Sequence, residues 1–185
     1  MDDQSWMGLL GGAAPLFTEA EQPRWLKKAL EKIKPGDITT SLRTELSRER
    51  LEAELRAHEQ PPSEKPKGLW FACGPDWLEF AWREEMIQRQ LFVYKLEIQL
   101  RGLLRLETAE QMLGFTQSFG TFYDRGSGEP ELLIDWSKVS VAYTGIMICP
   151  RQLSLRYSLD WYTPWDVASG CIWDSRAVRS WKRIS

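Results

Sequence analysis

FVYKLEIQL, Phe92–Leu100, is the clearest strand in the chain. Phe92, Tyr94, Leu96, Ile98 and Leu100 share one side, and Val93, Lys95, Glu97 and Gln99 share the other, which is the period of two of a β-strand. Upstream, the apolar residues recur at a helical spacing. Trp25, Leu26, Leu30 and Ile33 in PRWLKKALEKIK form a stripe that Pro35-Gly36 closes. Ser47 stands where it would cap SRERLEAELRAHEQ, with Leu51 and Leu55 four apart. PDWLEFAWREEMIQRQ has proline in its first turn and acids early, and sets Trp77, Phe80, Ala81 and Glu84 along one side. Between these helices lie a short strand in DITTSLRTEL, a loop in the proline-rich PPSEKPKG, and the apolar run LWFAC. Gly68 and Gly74 bound that run as a buried strand.

Downstream, LLRLE continues extended, and TAEQMLGFTQSFG opens with Thr108 and Gln111 in capping-box spacing. LLIDWSKVSVAYTGIMICP, LSLRYSL and VASGCIW are short and β-rich, DWYTPWD is an aromatic loop, and DSRAVRSWKR reads as a closing helix. The late strands follow one another too closely for crossover helices, so they pair antiparallel. The fold class is α+β: compact antiparallel β-sheets, split and sandwich-like, with packed helices mainly in the N-terminal half. Residues 1–36 form an N-terminal extension with a helix, and residues 37–185 a single α+β domain.

With 43% hydrophobic and 27% charged residues, the chain suits a soluble globular protein. A net charge of −2 and a pI near 5.6 argue against broad nucleic-acid binding. No apolar run is long enough to cross a membrane, and the acidic start MDD differs from the basic start of a secretory signal. A cytoplasmic protein is expected. Cys73, Cys149 and Cys171 are odd in number and widely spaced, so they read as buried free thiols, with no disulfide framework or zinc motif. A single histidine, His58, argues against a Ser-His-Asp triad or a histidine metal site, and no metal is predicted.

The uncommon feature is ten tryptophans, seven of them between Trp70 and Trp173. KPKGLWFACGPDWLEF, Lys65–Phe80, places two of these at one glycine-bounded junction. It is either an ordinary core strand with tight ends or the wall of a pocket for something flat.

The order ITTSLR, KPKGLWFACG, a helix, a strand ending in LLRLE, a helix and VAYTGIMI resembles the ADP-ribosyltransferase superfamily over roughly residues 37 to 174. In that family a glycine-aromatic strand precedes a helix, and a later YDGI-like segment is often followed by an acid. The resemblance implies a nucleotide cleft and NAD as substrate, with ADP-ribose passing to a macromolecular target, a protein. It places nicotinamide against the GLWF strand, where Gly68 lets the backbone approach and Trp70 or Phe71 stacks on the ring. Arg43 becomes the phosphate or ribose contact. Breaking the nicotinamide–ribose bond builds positive charge on the sugar, so a carboxylate is needed beside it. Here the chain departs from the pattern: Thr144 and Met147 stand where acids are expected, and Ala72 where serine or threonine is frequent. Asp160, Asp166 and Asp174 are the substitutes, and Asp166, among Trp161, Tyr162 and Trp165, is the chosen catalytic acid.

Each choice has an ordinary counterpart. Arg43 also reads as a surface charge, and Asp166 as a turn residue bonding its own backbone. The alternative function is a non-catalytic tryptophan-rich binding protein for a protein or carbohydrate ligand, including a catalytically dead relative. In it Trp161, Tyr162 and Trp165 form the platform.

Overall fold

A computed structural model describes residues 22–55, 60–124, 126 and 128–185. His58 and the first 21 residues lie outside the described residues. The fold is α+β. Among the described residues the α-helices are α1 (Arg24–Leu30), α2 (Arg48–Glu54), α3 (Asp76–Arg83), α4 (Ala109–Phe119) and α5 (Trp136–Ala142). The strands among them are β1 (Ile38–Leu42), β2 (Leu69–Cys73), β3 (Phe92–Ile98), β4 (Leu103–Arg105), β5 (Gly120–Tyr123), β6 (Glu131–Ile134), β7 (Gly145–Ile148), β8 (Ser169–Ile172) and β9 (Val178–Arg183).

Seven strands form one sheet in the order β4-β7-β8-β2-β1-β3-β9, and β5 and β6 form a separate two-stranded ribbon. Every pair in the large sheet is antiparallel except β4–β7. That parallel pair is joined by a crossover holding α4, the ribbon and α5, long enough to return the chain to the same end of the sheet. The strands β7 and β8 pair antiparallel, joined by residues 149–168, which hold 3₁₀ turns at Leu153–Leu155 and Asp160–Tyr162.

Local chemistry sets the helix starts. Ser47 accepts a hydrogen bond from the Arg50 amide, and Thr108 and Gln111 form a complete capping box at α4. Three expectations fail. WSKVSVA is α5, because Asp135 caps it by accepting from the Lys138 amide and turns Trp136 and Val139 into the core. The closing segment is β9 rather than a helix, since β3 offers it an unpaired edge running from Tyr94 to Ile98. LSLRYSL holds a 3₁₀ turn, Leu153–Leu155, in place of a strand.

The free-thiol reading is also corrected. Cys73 at the end of β2 is disulfide-bonded to Cys149 just after β7, with Cα atoms 6.6 Å apart, and only Cys171 is free and buried. A separation of 76 residues hid the pairing. Since β8 lies between β7 and β2, the bridge ties two strands that are not neighbours.

Strand alternation sorts the core. One sheet face packs Leu69, Phe71, Tyr94, Leu96, Met147 and Ile172 against Leu51 of α2 and Leu55 just after it. The opposite face carries two separate clusters. Over β7 and β8, Ile146, Ile148 and Cys171 meet α4, α5 and the rings of Trp136, Trp161, Tyr162, Trp165 and Trp173. Over β3, Val93 meets Leu78 and Ala81 of α3 and Leu26 and Ala29 of α1. The strip of sheet between these two clusters is where the cleft lies.

Candidate functional site

The floor of the cleft follows from register. Thr39 pairs with Ala72, and Trp70 and Ala72 pair with Cys171 and Ser169, so Thr39, Ser41, Trp70, Ala72 and Ser169 share one face of β1, β2 and β8. Four of these five side chains are small, which leaves a trough between the two clusters. Trp77, at the start of α3, forms one wall, and Trp165, Asp166 and Val167 form the other. Lys65 and Trp70 complete a cavity of about 270 Å³.

Ring contacts and hydrogen bonds hold the walls in place. Trp165 meets Trp70 edge to face at 4.9 Å between centroids and donates its indole N–H to the Glu64 carbonyl at 3.3 Å. Trp161 donates to the Thr116 hydroxyl on α4 at 2.9 Å, and the Tyr162 hydroxyl accepts from the Gln152 amide at 3.0 Å. Trp161, Tyr162 and Trp165 are all buried and offer no exposed platform, and of the three only Trp165 borders the cleft. Trp77, by contrast, is half-buried and has Phe80 as its ring neighbour at 5.9 Å.

The charged groups are few. Asp166 accepts from the Arg156 guanidinium at 2.6 Å, and both side chains are about one-quarter exposed, at 27% and 25%. Arg156 also donates from Nε to the Thr163 carbonyl at 3.2 Å, which fixes the guanidinium in turn. The Lys65 ammonium stands 5.3 Å from the Trp70 ring centroid. Although that side chain is largely exposed, desolvation of its amine holds its pKa below the ordinary lysine value, while the charges of Asp166 and Glu64 act the other way.

The residues singled out from the sequence part company. Trp70 and Asp166 line the cleft together. Phe71 borders it too, but alternation turns its ring to the opposite face, where it is buried with Tyr94 and Leu96. Gly68 lies outside the lining; a Cβ there would strike the Ile172 carbonyl and the Cys171 sulfur, so the missing side chain serves packing against β8. Arg43 follows the last residue of β1 and lines a separate groove with Met86, Ile87, Gln88, Arg89 and Leu91. Asp160 accepts from the Leu132 amide, and Asp174 caps a 3₁₀ turn and pairs with Arg176, so of the three aspartates only Asp166 reaches the cleft. Met147 is core, and Thr144 lies outside the lining.

Sequence reasoning missed Thr39, Ser41, Ser169, Trp77 and Lys65 as site residues. The alternation of Thr39 and Ser41 on a strand that pairs on both sides was the signal for the floor. Among the described residues no group of three or more His, Cys, Asp or Glu side chains is placed to hold a metal. No described helix is long and apolar enough to cross a membrane. Compared with models of known protein families, with curated proteins and with solved structures, the chain matches none.

Proposed function

We propose that this cleft takes the nicotinamide end of NAD and that the protein transfers ADP-ribose to a protein target. The observation that carries the reading is the meeting of Trp70, Trp77 and Trp165 with one carboxylate, Asp166, over a floor of small side chains. A trough of about 270 Å³ suits a single flat ring held between indoles, with the rest of the dinucleotide running outside. Asp166 at the rim is placed to face the ribose carbon as the bond to nicotinamide breaks and positive charge builds. Its contact with Arg156 holds the carboxylate in one position.

One observation favours the second reading, a non-catalytic binder. Part of the Asp166 charge is already answered by Arg156, and Thr144 and Met147 stand where the family carries acids. Such a protein would hold the ring and leave the bond intact. The disulfide between Cys73 and Cys149 favours an oxidising compartment over the cytoplasmic setting expected from the start of the chain.

Thermal unfolding with NAD tests both readings. Ligand at ten times its Kd raises stability by about 1.4 kcal/mol, or roughly 3–5 °C for a chain of this size. Trp77→Ala should remove the shift with little loss of basal stability, because that ring is half-buried. Release of nicotinamide separates enzyme from binder. A protein indifferent to millimolar NAD but stabilised by an oligosaccharide would sink the nucleotide reading.

A further inference from the structure

We infer that Lys65 is the anion-binding residue of the cleft, so that the ligand is a flat ring bearing a phosphate-like group beside it. The inference rests on the cleft being the ligand site proposed above, but not on the transfer chemistry. Arg43, the cation expected to bind phosphate, lines another groove, and Lys65 is the one cationic side chain among the described residues that line the cleft. Its ammonium is held against the Trp70 ring, at the edge of the space a planar ligand would fill. Lys65 forms no ion pair with a described residue. Asp166, the nearest acid in the lining, is committed to Arg156 at 2.6 Å. Glu64, the other carboxylate acting on Lys65, lines a separate acidic groove with Glu129, Glu131 and Asp160.

The ammonium beside Trp70 feels Asp166 and Glu64 from a distance but pairs directly with neither, so an anionic ligand group can take it as a direct partner. The cleft thus offers a positive point at Lys65 and a negative point at Asp166. A ligand with a cationic ring and an anionic tail satisfies both at once, whereas a neutral sugar satisfies neither.

The test compares ligands that differ only by a phosphate. Nicotinamide mononucleotide is titrated against nicotinamide riboside, and adenosine monophosphate against adenosine, with the wild type, Lys65→Gln and Lys65→Arg. In the wild type the phosphate should tighten binding about tenfold. This advantage should vanish in Lys65→Gln, return largely in Lys65→Arg, and shrink as salt is raised. The readout is the ratio of the two affinities within each protein, with and without phosphate, which a merely structural role for Lys65 would leave unmoved. A Lys65-dependent advantage for adenosine monophosphate alone would keep this inference and overturn the NAD reading. Turnover of NAD with an unchanged KM in Lys65→Gln would overturn this inference and keep the NAD reading. A phosphate advantage equal in wild type and Lys65→Gln, or no binding of any phosphate ligand to the wild type, would overturn it as well.

Discussion

Trp70 and Phe71 are adjacent in the chain and lie on opposite sides of the sheet. The first borders an opening, and the second is buried among Leu69, Tyr94 and Leu96. Their substitutions should therefore differ in kind. Phe71→Ala should cost about 3–5 kcal/mol of stability, read in denaturant melts, because it leaves a hole in a packed face. Asp166→Asn should change stability by no more than about 1 kcal/mol, since the pair it breaks is partly solvated. The same change should abolish any release of nicotinamide from NAD; unchanged turnover would remove Asp166 from the mechanism. The residue scale was only half legible. LWFAC announced a buried strand, but which ring faced the opening depended on pairing with Thr39 and Ser169, residues far away in sequence. Arg43 was misplaced for a related reason: it would continue the face of Thr39 and Ser41 only if β1 ran past Leu42.

Elements with their own local signals were the readable ones. The Thr108–Gln111 box starts α4 as its spacing predicted, and Thr108→Ala should lower stability by about 1 kcal/mol, seen as a small drop in melting temperature. FVYKLEIQL forms β3 from Phe92 to Ile98. The failures were short segments whose state depends on a distant partner. DSRAVRSWKR reads as a closing helix, yet β3 recruits it as an edge strand, with Glu97 opposite Ser180 and Leu96 opposite Trp181. LLIDWSKVSVAYTGIMICP is rich in β-branched residues, but Asp135 supplies a cap and Trp136 an anchor for one short helix before β7.

At the scale of the molecule, the Cys73–Cys149 bridge closes a loop of 76 residues that contains β3, α4, α5 and β7. Closing so long a loop stabilises by about 4 kcal/mol on chain-entropy grounds. Cys73→Ser with Cys149→Ser should show a loss of that order, and the native protein should give no free thiol to alkylating reagents until it unfolds. Burial raises the Cys171 thiol well above its ordinary pKa, which keeps it inert as well. Acid acts through other contacts. Hydrogen bonds from Lys95 and from the Lys34 amide hold the Asp37 carboxyl below its usual value. A lowered native pKa means that the stability from this group is present above about pH 4. That contribution is lost as pH falls through the lower native value. Lys95→Met should flatten that part of the stability–pH curve, by less than about 1 kcal/mol.

The two clusters on the upper side of the sheet do not merge; among the described residues a seam runs between them, with the strands underneath. A guest lodged in the seam would act as mortar, binding α3 to the tryptophan-rich half. Occupancy should then slow amide exchange on both banks together, including positions that never touch the guest.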